Sequence, residues 1–261
     1  MLEEAPAAKR VAAAPARAAE LFVVSAKSAA ALDAAAARLR DHLQARQELS
    51  LGDVAFSLAT TRSPMEHRLA VAAPSREALQ AALDAAAQGQ TPPGAVRGRA
   101  STGGVPKVVF VFPGQGSQWA GMGQELLAEE PVFREALSAC DRAIQAEAGW
   151  SLLAELAAEE ATSQLGRIDV VQPVLFALSV ALSALWRSWG VQPDAVVGHS
   201  MGEVAAAHVA GALSLEDAVA IICRRSRLLR RISGQGEMAV VELSLPEAEA
   251  ALRGYEDRPW P

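Results

Sequence analysis

Residues 194–211 decide the fold, and they read DAVVGHSMGEVAAAHVAG. The first part is a short apolar strand ending in Gly198-His-Ser-Met-Gly202, and the second part has the alanine-rich composition of a helix. A strand that runs through Gly-x-Ser-x-Gly into a helix is a nucleophile elbow, the turn that exposes a reactive serine on an α/β sheet. The stretch therefore predicts an α/β-hydrolase-like core with a parallel sheet and with Ser200 as its nucleophile.

The two glycines and the helix explain the spacing of this motif. Gly198 and Gly202 are small, so the strand and the helix can approach each other closely. The helix aims its N-terminal N–H groups at Ser200, where negative charge develops during acyl transfer, and the backbone N–H of Met201 is a candidate oxyanion donor. Gly-x-Ser-x-Gly also occurs by chance in glycine-rich loops. The strand before it and the helix after it favour the functional interpretation.

No histidine of the chain is a convincing base for Ser200. His199 adjoins the serine, but neighbouring residues on a tight turn point in different directions. His208 lies two helical turns further along, and His42 and His67 belong to the N-terminal part of the chain. A serine at its ordinary pKa needs a base. Either the reaction proceeds differently or the base is missing from this sequence.

The N-terminal part predicts a linker followed by a small α+β domain. Residues 1–18 are rich in alanine, proline and charge without periodicity, which is typical of a linker, and residues 19–100 form the domain. The elements expected in it are strands at 21–24 and 68–73 and helices from Ser28 to about Arg46, after Ser50, and from Ser75 to about Gln88. Residues 90–106 are rich in Gly, Pro, Ser and Thr and are predicted to be a joint.

Residues 101–261 predict the second domain. Residues 107–112 are a continuous apolar run of the kind that is buried on both faces of a parallel sheet. The other elements expected here are a strand at 194–198, helices after Gly123 and over 173–189, 201–210, 214–232 and 246–252, and a strand at 238–243. Ser214-Leu-Glu-Asp217 has the form of a capping box.

Composition and charge argue against several functional classes. The net charge is -6 and no dense basic stripe is present, which argues against a nucleic-acid partner. Cys140 and Cys223 lack metal-ligand spacing and suit a reducing cytoplasm. The N-terminus lacks a signal-peptide pattern, and the apolar stretch 170–186 is short for a membrane span. We predict a cytoplasmic protein without a bound metal or a membrane partner.

Several motifs together resemble those of a known family. They are Phe112-Pro-Gly-Gln-Gly-Ser-Gln118, Gln172-Pro173, Gly198-His-Ser-Met-Gly-Glu203 and Arg225. In these motifs the chain resembles malonyl-CoA:acyl carrier protein transacylases, and most of all the acyltransferase domains of modular type I polyketide synthases. Residues 2–7 resemble the end of a ketosynthase domain, and residues 19 to about 100 resemble the linker domain between ketosynthase and acyltransferase.

The resemblance implies a reaction and its catalytic groups. An acyl group would move from coenzyme A to Ser200 and then to the phosphopantetheine thiol of an acyl carrier protein. Backbone N–H groups of Gln115 and Met201 would form the oxyanion hole. Acyl-CoA and phosphopantetheine would be substrates, with no cofactor bound, and the carrier protein and an adjacent ketosynthase domain would be the partners.

The resemblance also implies which side chains bind the substrate. Arg225 would hold the free carboxylate of a malonyl-type extender through two hydrogen bonds, which suits a planar guanidinium better than lysine. Gln172 and His199 would lie at the substrate. Without the resemblance, Arg225 is equally a surface arginine beside Arg224, and Gln172 a polar residue at the start of a helix before Pro173.

The resemblance further implies that the core is incomplete. The family's catalytic histidine is expected in a later segment, beyond a ferredoxin-like subdomain. Residues 240–252 resemble only the first strand and helix of that subdomain, and a lone strand presents an unpaired edge. Residues 258–261 depart from the family pattern, where a strand is expected. We therefore expect a truncated acyltransferase domain whose isolated chain is weakly active or inactive.

The motifs conflict on the extender unit. Arg167-Ile-Asp-Val-Val-Gln172 resembles the form associated with methylmalonyl units, whereas a bulky apolar residue such as Met201 often accompanies malonyl selection. A third determinant would surround the missing histidine. One methyl group in a pocket contributes only about 1–3 kcal/mol of discrimination. The expectation leans towards methylmalonyl.

Two other functional classes stay open for the chain. The first is a serine hydrolase such as an esterase with the same elbow, although a carboxylate-binding Arg225 has little purpose in a hydrophobic ester pocket. The second is a non-catalytic fragment whose linker domain acts as a scaffold, which the missing base and the half-built subdomain favour. An extender-unit acyltransferase is our prediction for the parent protein.

Overall fold

The structure is a computed structural model that describes residues 17–100, 103–104, 106–232, 235 and 241–253. The chain divides into two compact units, Met1–Pro106 and Lys107–Pro261, and each has its own hydrophobic core. The predicted linker up to residue 16, residues 238–240 of the last predicted strand and residues 258–261 lie outside the described residues.

The first unit packs three helices with a three-stranded antiparallel sheet of order β1-β2-β3. Its elements are β1 Glu20–Ala26, α1 Ala29–Ala45, α2 Leu51–Thr60, β2 His67–Ala73, α3 Arg76–Ala87 and β3 Ala95–Arg99. The hydroxyls of Ser28, Ser50 and Ser75 cap the three helices, each accepting a hydrogen bond from the backbone N–H three residues later. These caps confirm the predicted starts of the helices.

The predicted joint at residues 90–106 contains a strand. β3 pairs with β2, with Arg99 opposite His67. No strand pattern marks this segment, since Arg97, Gly98 and Arg99 break the alternation of apolar residues that indicates a strand. Ion pairs replace part of the apolar packing, because Arg97 pairs with Asp33 and Arg99 with Glu66.

The second unit packs helices against one face of two parallel strands. Its elements are β4 Val109–Phe112, α4 Gln124–Glu129, α5 Pro131–Ala148, α6 Leu152–Leu156, α7 Ile168–Ser188, β5 Ala195–Gly198, α8 Gly202–Val209, α9 Leu215–Arg230 and α10 Leu245–Leu252. β4 and β5 pair in parallel with Phe112 opposite Gly198. This pairing confirms the predicted parallel sheet, and it places the loop after β4 beside the elbow after β5.

Helix α7 begins at Ile168, so the predicted start at Pro173 is wrong. Prolines usually stand in the first turn of a helix, whereas Pro173 lies inside this one. Its missing N–H leaves the carbonyl of Asp169 without the donor of a regular helix. As a result Gln172 is part of the helix and is only 3% exposed, rather than a polar residue at the helix start.

One face of the two-stranded sheet is open. Val109, Val111 and Val197 are more than half exposed, while Phe112 is buried in the core. The predicted burial of both faces is therefore wrong within the described residues, where helices cover only one face of the sheet.

Helix α7 is the central helix of the second core. It packs against α5, α8 and α9, and Val174, Phe176 and Ala181 are fully buried. By length and composition it is also the one helix in the described ranges that could cross a membrane. Most of its apolar stretch is buried inside the unit, as in the core helix of a globular domain.

The end of α7 carries an exposed aromatic pair. The rings of Trp186 and Trp189 meet edge to face with centroids 5.3 Å apart. Both side chains are about half exposed. This arrangement is one of the preferred geometries of two aromatic rings.

Helix α10 confirms the predicted helix at 246–252. α10 begins with a capping box in which Ser244 and Glu247 satisfy each other's backbone N–H groups. Residues 241–243 precede it without strand structure, so the predicted strand at 238–243 is wrong over these three residues.

Candidate active site

Ser200 lies on a strained turn between β5 and α8. Its φ is 55°, which makes it the one non-glycine residue with a positive φ among those described. Left-handed backbone costs a residue with a side chain about 1–3 kcal/mol unless its surroundings enforce it. The side chain is exposed, and the following residue, Met201, is 2% exposed. Met201 thus anchors the turn in the core while Ser200 faces outward.

Close backbone contacts enforce this turn. A Cβ atom on Gly198 would lie 2.4 Å from the backbone N of Glu203, and one on Gly202 would lie 2.1 Å from the carbonyl oxygen of Phe112. The backbone N–H of His199 donates to that same carbonyl over 2.9 Å. The two glycines therefore allow α8, the elbow and the end of β4 to touch, as the motif predicts.

A chain of side-chain hydrogen bonds, here called the polar chain, connects four of the predicted site residues. Arg225 on α9 donates through Nη2 to Ser200 Oγ over 2.9 Å and through Nη1 to Gln172 Oε1 over 2.7 Å. Gln172 on α7 then donates through Nε2 to Gln115 Oε1 over 2.9 Å. The structure thus brings together Ser200, Arg225, Gln172 and Gln115. Arg225 is only partly exposed, whereas the neighbouring Arg224 is exposed and pairs with Glu147.

Two backbone N–H groups at the elbow are unused. Those of Gln115 and Met201 donate to no acceptor in the part of the chain that the structure describes. Gln115 follows β4 in an exposed loop, and Met201 precedes α8. Unpaired N–H groups on two sides of a nucleophile are what an oxyanion hole requires. The parallel pairing of β4 with β5 is what places these two loops side by side.

The histidines near the elbow have other contacts. The Nδ1 atom of His199 lies 3.1 Å from the place that a Cβ on Gly114 would occupy, so its ring packs against the loop after β4. His208 Nδ1 lies 3.1 Å from the carbonyl oxygen of Leu213. Within the described ranges Ser200 Oγ has its hydrogen bond from Arg225, and neither histidine bonds to it.

Carboxylates on α7 and α5 form ion pairs with arginines on two sides of α9. Asp169 on α7 accepts from Arg230 over 3.0 Å and from Arg167 over 2.8 Å. On the other side, Glu147 of α5 accepts from Arg224 over 2.9 Å. Asp169 lies in the segment Arg167–Gln172 that resembles an extender-unit determinant, but its pairing with Arg230 has no local signal in the sequence.

These contacts fix the charge states of the carboxylates. The hydrogen bond from Arg167 lowers the pKa of Asp169, and the one from Arg224 lowers the pKa of Glu147. Both carboxylates are therefore ionised at neutral pH. Burial raises the pKa of Cys140 to about 12 and that of Cys223 to about 11. Both thiols are thus protonated and poor nucleophiles at neutral pH.

A strand–turn–helix elbow with an exposed serine is typical of α/β enzymes that transfer acyl groups through a serine ester. The family described as the acyl transferase domain matches residues 109–258, more than half of the chain, and the CurL-like C-terminal family of polyketide synthases matches residues 20–83. The chain belongs to the acyltransferase domain family of polyketide synthases.

Known proteins similar to the chain carry the same description. Polyketide synthase GfsA from Streptomyces halstedii is 48% identical over 256 residues, which are 98% of this chain and 3% of that protein. The solved acyltransferase domain from module 8 of the salinomycin polyketide synthase is 42% identical with a TM-score of 0.84, and the match covers 92% of this chain and 57% of that one. The acyltransferase domain of SpnD, solved as a complex with 2-(pent-4-yn-1-yl)malonyl, is 32% identical with a TM-score of 0.67, covering 81% and 49%. The chain thus spans a small fraction of the curated relatives and about half of the solved domains.

Proposed function

We propose that Ser200 carries a malonyl-type acyl group from coenzyme A to the phosphopantetheine thiol of an acyl carrier protein. The observation that supports this most is the guanidinium of Arg225, which lies 2.9 Å from Ser200 Oγ. A fixed fork of N–H donors beside the nucleophile suits a donor that carries a free carboxylate next to its thioester. The malonyl group bound in the similar SpnD domain is of this chemical class.

In the first half-reaction Ser200 Oγ attacks the thioester carbonyl and loses its proton to a base. The N–H groups of Gln115 and Met201 stabilise the oxyanion of the tetrahedral intermediate. The carbon–sulfur bond then breaks, and coenzyme A leaves as a thiol with the proton that the base held. In the second half-reaction the base takes the proton of the phosphopantetheine thiol as its sulfur attacks the serine ester. The carbon–oxygen bond to Ser200 then breaks, and the base returns that proton to Ser200 Oγ.

The base in this proposal is a group other than His199 and His208. Both have contacts elsewhere, and Arg225 can donate a hydrogen bond to Ser200 but cannot accept a proton at neutral pH. We propose a histidine supplied by a segment of the acyltransferase domain other than the residues described. Ser200 would then gain reactivity only when that histidine is present.

For the extender unit, the proposal favours methylmalonyl. The segment Arg167-Ile-Asp-Val-Val-Gln172 supports it, and it forms the N-cap and first turns of α7, ending at the residue that bonds Arg225. Met201 supports malonyl less strongly, because its side chain is buried in the core rather than directed into the open site.

A second candidate function, a non-catalytic scaffold, is favoured by one observation. Ser200 has no hydrogen bond to a histidine within the described ranges, so the isolated chain can lack turnover while both units are folded. An esterase is favoured less, since its apolar ester pocket has no need for Arg225. The acyl carrier protein and an adjacent ketosynthase remain the proposed partners, the cytoplasm the proposed location, and no resident cofactor is proposed.

Intact-protein mass spectrometry after mixing with malonyl-CoA or methylmalonyl-CoA tests the proposal. We expect little or no adduct on the 261-residue chain alone, and on a full acyltransferase domain an acyl adduct that is absent from Ser200→Ala, with methylmalonyl-CoA as the faster donor. Cys140 and Cys223 serve as internal controls, because their protonated thiols are expected to stay unmodified. An adduct that survives in Ser200→Ala would exclude Ser200 as the acyl carrier, and an adduct from acetyl-CoA at the same rate would exclude the malonyl-type donor.

A missing adduct calls for the longer protein. The same measurement on a full acyltransferase domain then decides between the two candidates. An adduct there, and none on the 261-residue chain, would favour the scaffold interpretation for the isolated chain. No adduct in the full domain would overturn the proposed function.

A further inference from the structure

Asp169 joins two helices that each carry a member of the polar chain. Its carboxylate accepts from Arg167 Nε over 3.2 Å and Nη2 over 2.8 Å, and from Arg230 Nη1 over 3.0 Å. Arg167 is the N-cap of α7, whereas Arg230 is the last residue of α9. The carboxylate therefore ties the beginning of α7 to the end of α9.

The tie is largely shielded from water. The Asp169 side chain is 12% exposed, while those of Arg167 and Arg230 are about half exposed. Exposed ion pairs contribute little because water and salt screen them. A shielded carboxylate that two guanidinium groups share is screened less and is fixed in geometry by three charge-assisted hydrogen bonds. Its lowered pKa keeps it ionised at neutral pH.

Two side-chain contacts between α7 and α9 lie one helical turn apart along α7. Asp169 and Gln172 are one turn apart on α7, and they contact Arg230 and Arg225 on α9. Gln172 can accept from Arg225 only while the two helices keep their present offset. A shift of α9 along α7 would move the guanidinium away from both Gln172 and Ser200, and a displacement of a fraction of an ångström is enough to weaken a bidentate contact.

We propose that Asp169 is a positioning residue that holds the Arg225 guanidinium at Ser200 by fixing the offset between α7 and α9. Asp169 touches none of the reacting atoms and acts through Arg230 and the helix that carries Arg225. This inference rests on the proposed function for its consequence, which is recognition of the carboxylate of a malonyl-type donor. Loss of Asp169 also leaves Arg230 without its partner in the described residues, adding an unpaired positive charge to a helix that already carries several arginines.

The test combines a signal from Arg225 with donor binding. The Nε–Hε NMR signal of Arg225 is identified by its loss in Arg225→Lys and is then followed in Asp169→Asn and in the conservative variant Asp169→Glu. Binding of malonyl-CoA and acetyl-CoA is measured by calorimetry in a Ser200→Ala background, where no turnover occurs. Glu147→Gln is the matched control, since it breaks an ion pair on the α5 side of the same helix.

We expect Asp169→Asn to shift the Arg225 signal and to weaken malonyl-CoA binding about tenfold, with acetyl-CoA unchanged. Asp169→Glu restores most of the malonyl-CoA affinity, and Glu147→Gln alters neither measurement. An unchanged Arg225 signal in Asp169→Asn overturns the inference, and so does an equal loss of affinity for both donors or the same effect in Glu147→Gln. If the Arg225 signal shifts in Asp169→Asn but the protein that retains Asp169 binds no malonyl-CoA, the positioning role of Asp169 stands and the proposed donor is wrong.

Discussion

At the scale of single residues, the backbone conformation of Ser200 is the most tightly restricted feature of the site. Its φ of 55° is held by contacts at Gly198 and Gly202 that leave no room for a side chain. The next residue, Met201, is buried in the core and anchors the turn there. The conformation of the elbow thus depends on close backbone contacts at the two glycines. Changing these contacts would require the elbow or the end of β4 to move.

Gly202→Ala tests these contacts. The added methyl group would lie 2.1 Å from the carbonyl oxygen of Phe112, which is backbone and cannot turn aside. We expect a loss of about 2 kcal/mol or more of unfolding free energy, measured by urea denaturation. Gly166→Ala is the control, because a Cβ there meets nothing within 4 Å and its φ is not positive. Equal stability of the two variants would contradict the tight packing of the elbow.

Arg225→Lys tests the fork geometry of the guanidinium. Arg225 bonds Ser200 and Gln172 through two different nitrogens, and a single ammonium group cannot reproduce this planar arrangement. In a Ser200→Ala background we expect malonyl-CoA to bind about tenfold more weakly, as measured by calorimetry. Arg224→Lys, next in sequence but on the exposed side, is expected to leave binding unchanged. A similar loss in both variants would mean that general charge, and not the fork, attracts the donor.

At the scale of secondary-structure elements, α9 is held by carboxylates on two sides. Glu147 of α5 binds Arg224, and Asp169 of α7 binds Arg230. The polar chain starts from Arg225, which lies between these two contacts in the sequence. Arg225 therefore lies on a segment of α9 that has an ion pair at each end, at Arg224 and at Arg230.

The ion pair of Glu147 predicts a pH dependence. The hydrogen bond from Arg224 lowers the pKa of Glu147 in the folded chain below the unfolded value of about 4.3. The pair therefore stabilises the fold fully above about pH 4.3, and this contribution is lost as the pH falls through the lowered pKa. In Glu147→Gln the unfolding free energy should fall less steeply below that pH, as measured by urea denaturation at a series of pH values. Parallel pH profiles of the variant and the unchanged chain would show that Glu147 contributes nothing to acid sensitivity.

The sequence predicted the elements whose signals are local. Serine caps marked the helices of the first unit, and Gly-x-Ser-x-Gly marked the elbow. β3 was not predicted, because its stability comes from pairing with β2 and from ion pairs of its arginines. Neither interaction leaves a local pattern in the sequence. The predicted start of α7 was wrong because a proline usually marks the first turn of a helix, whereas Pro173 lies inside α7. Burial of the surrounding turns stabilises the helix despite the missing hydrogen bond.

The candidate site was predictable to the extent that a motif contained it. Ser200 and the N–H of Met201 follow from the elbow itself, whereas Arg225, Gln172 and Gln115 came from the family resemblance. Their mutual hydrogen bonds depend on how α7 and α9 pack, which no spacing in the sequence reveals. The contact between Asp169 and Arg230 was not predicted for the same reason, since the two residues are 61 positions apart in the chain.

At the scale of the whole molecule, the chain contains two separate hydrophobic cores. Phe22, Leu43 and Leu83 are fully buried in the first, and Phe133 and Phe176 in the second. Among the residues that the structure describes, the two cores share no buried side chain. Damage to one core is therefore expected to stay within its own unit.

Leu83→Ala tests this independence. Removing a fully buried leucine is expected to cost about 2–5 kcal/mol of the unfolding free energy of the first unit. Hydrogen exchange followed by mass spectrometry should then show faster exchange in peptides of α1, α3 and β2, with peptides of α5, α7 and α9 unchanged. Ile144→Ala, in the second core, is the reciprocal control. Faster exchange throughout both units in either variant would mean that they unfold together.

The edge-to-face pair of Trp186 and Trp189 has an optical consequence. Two indoles held 5.3 Å apart couple their electronic transitions, and such coupling gives a paired signal in circular dichroism that a lone tryptophan lacks. The pair lies at the C-terminal end of α7, the helix that carries Gln172. The circular dichroism signal of the pair therefore depends on whether the last turn of α7 is formed. The chain thus contains its own chromophore for following the assembly of the site without a dye or an isotope label.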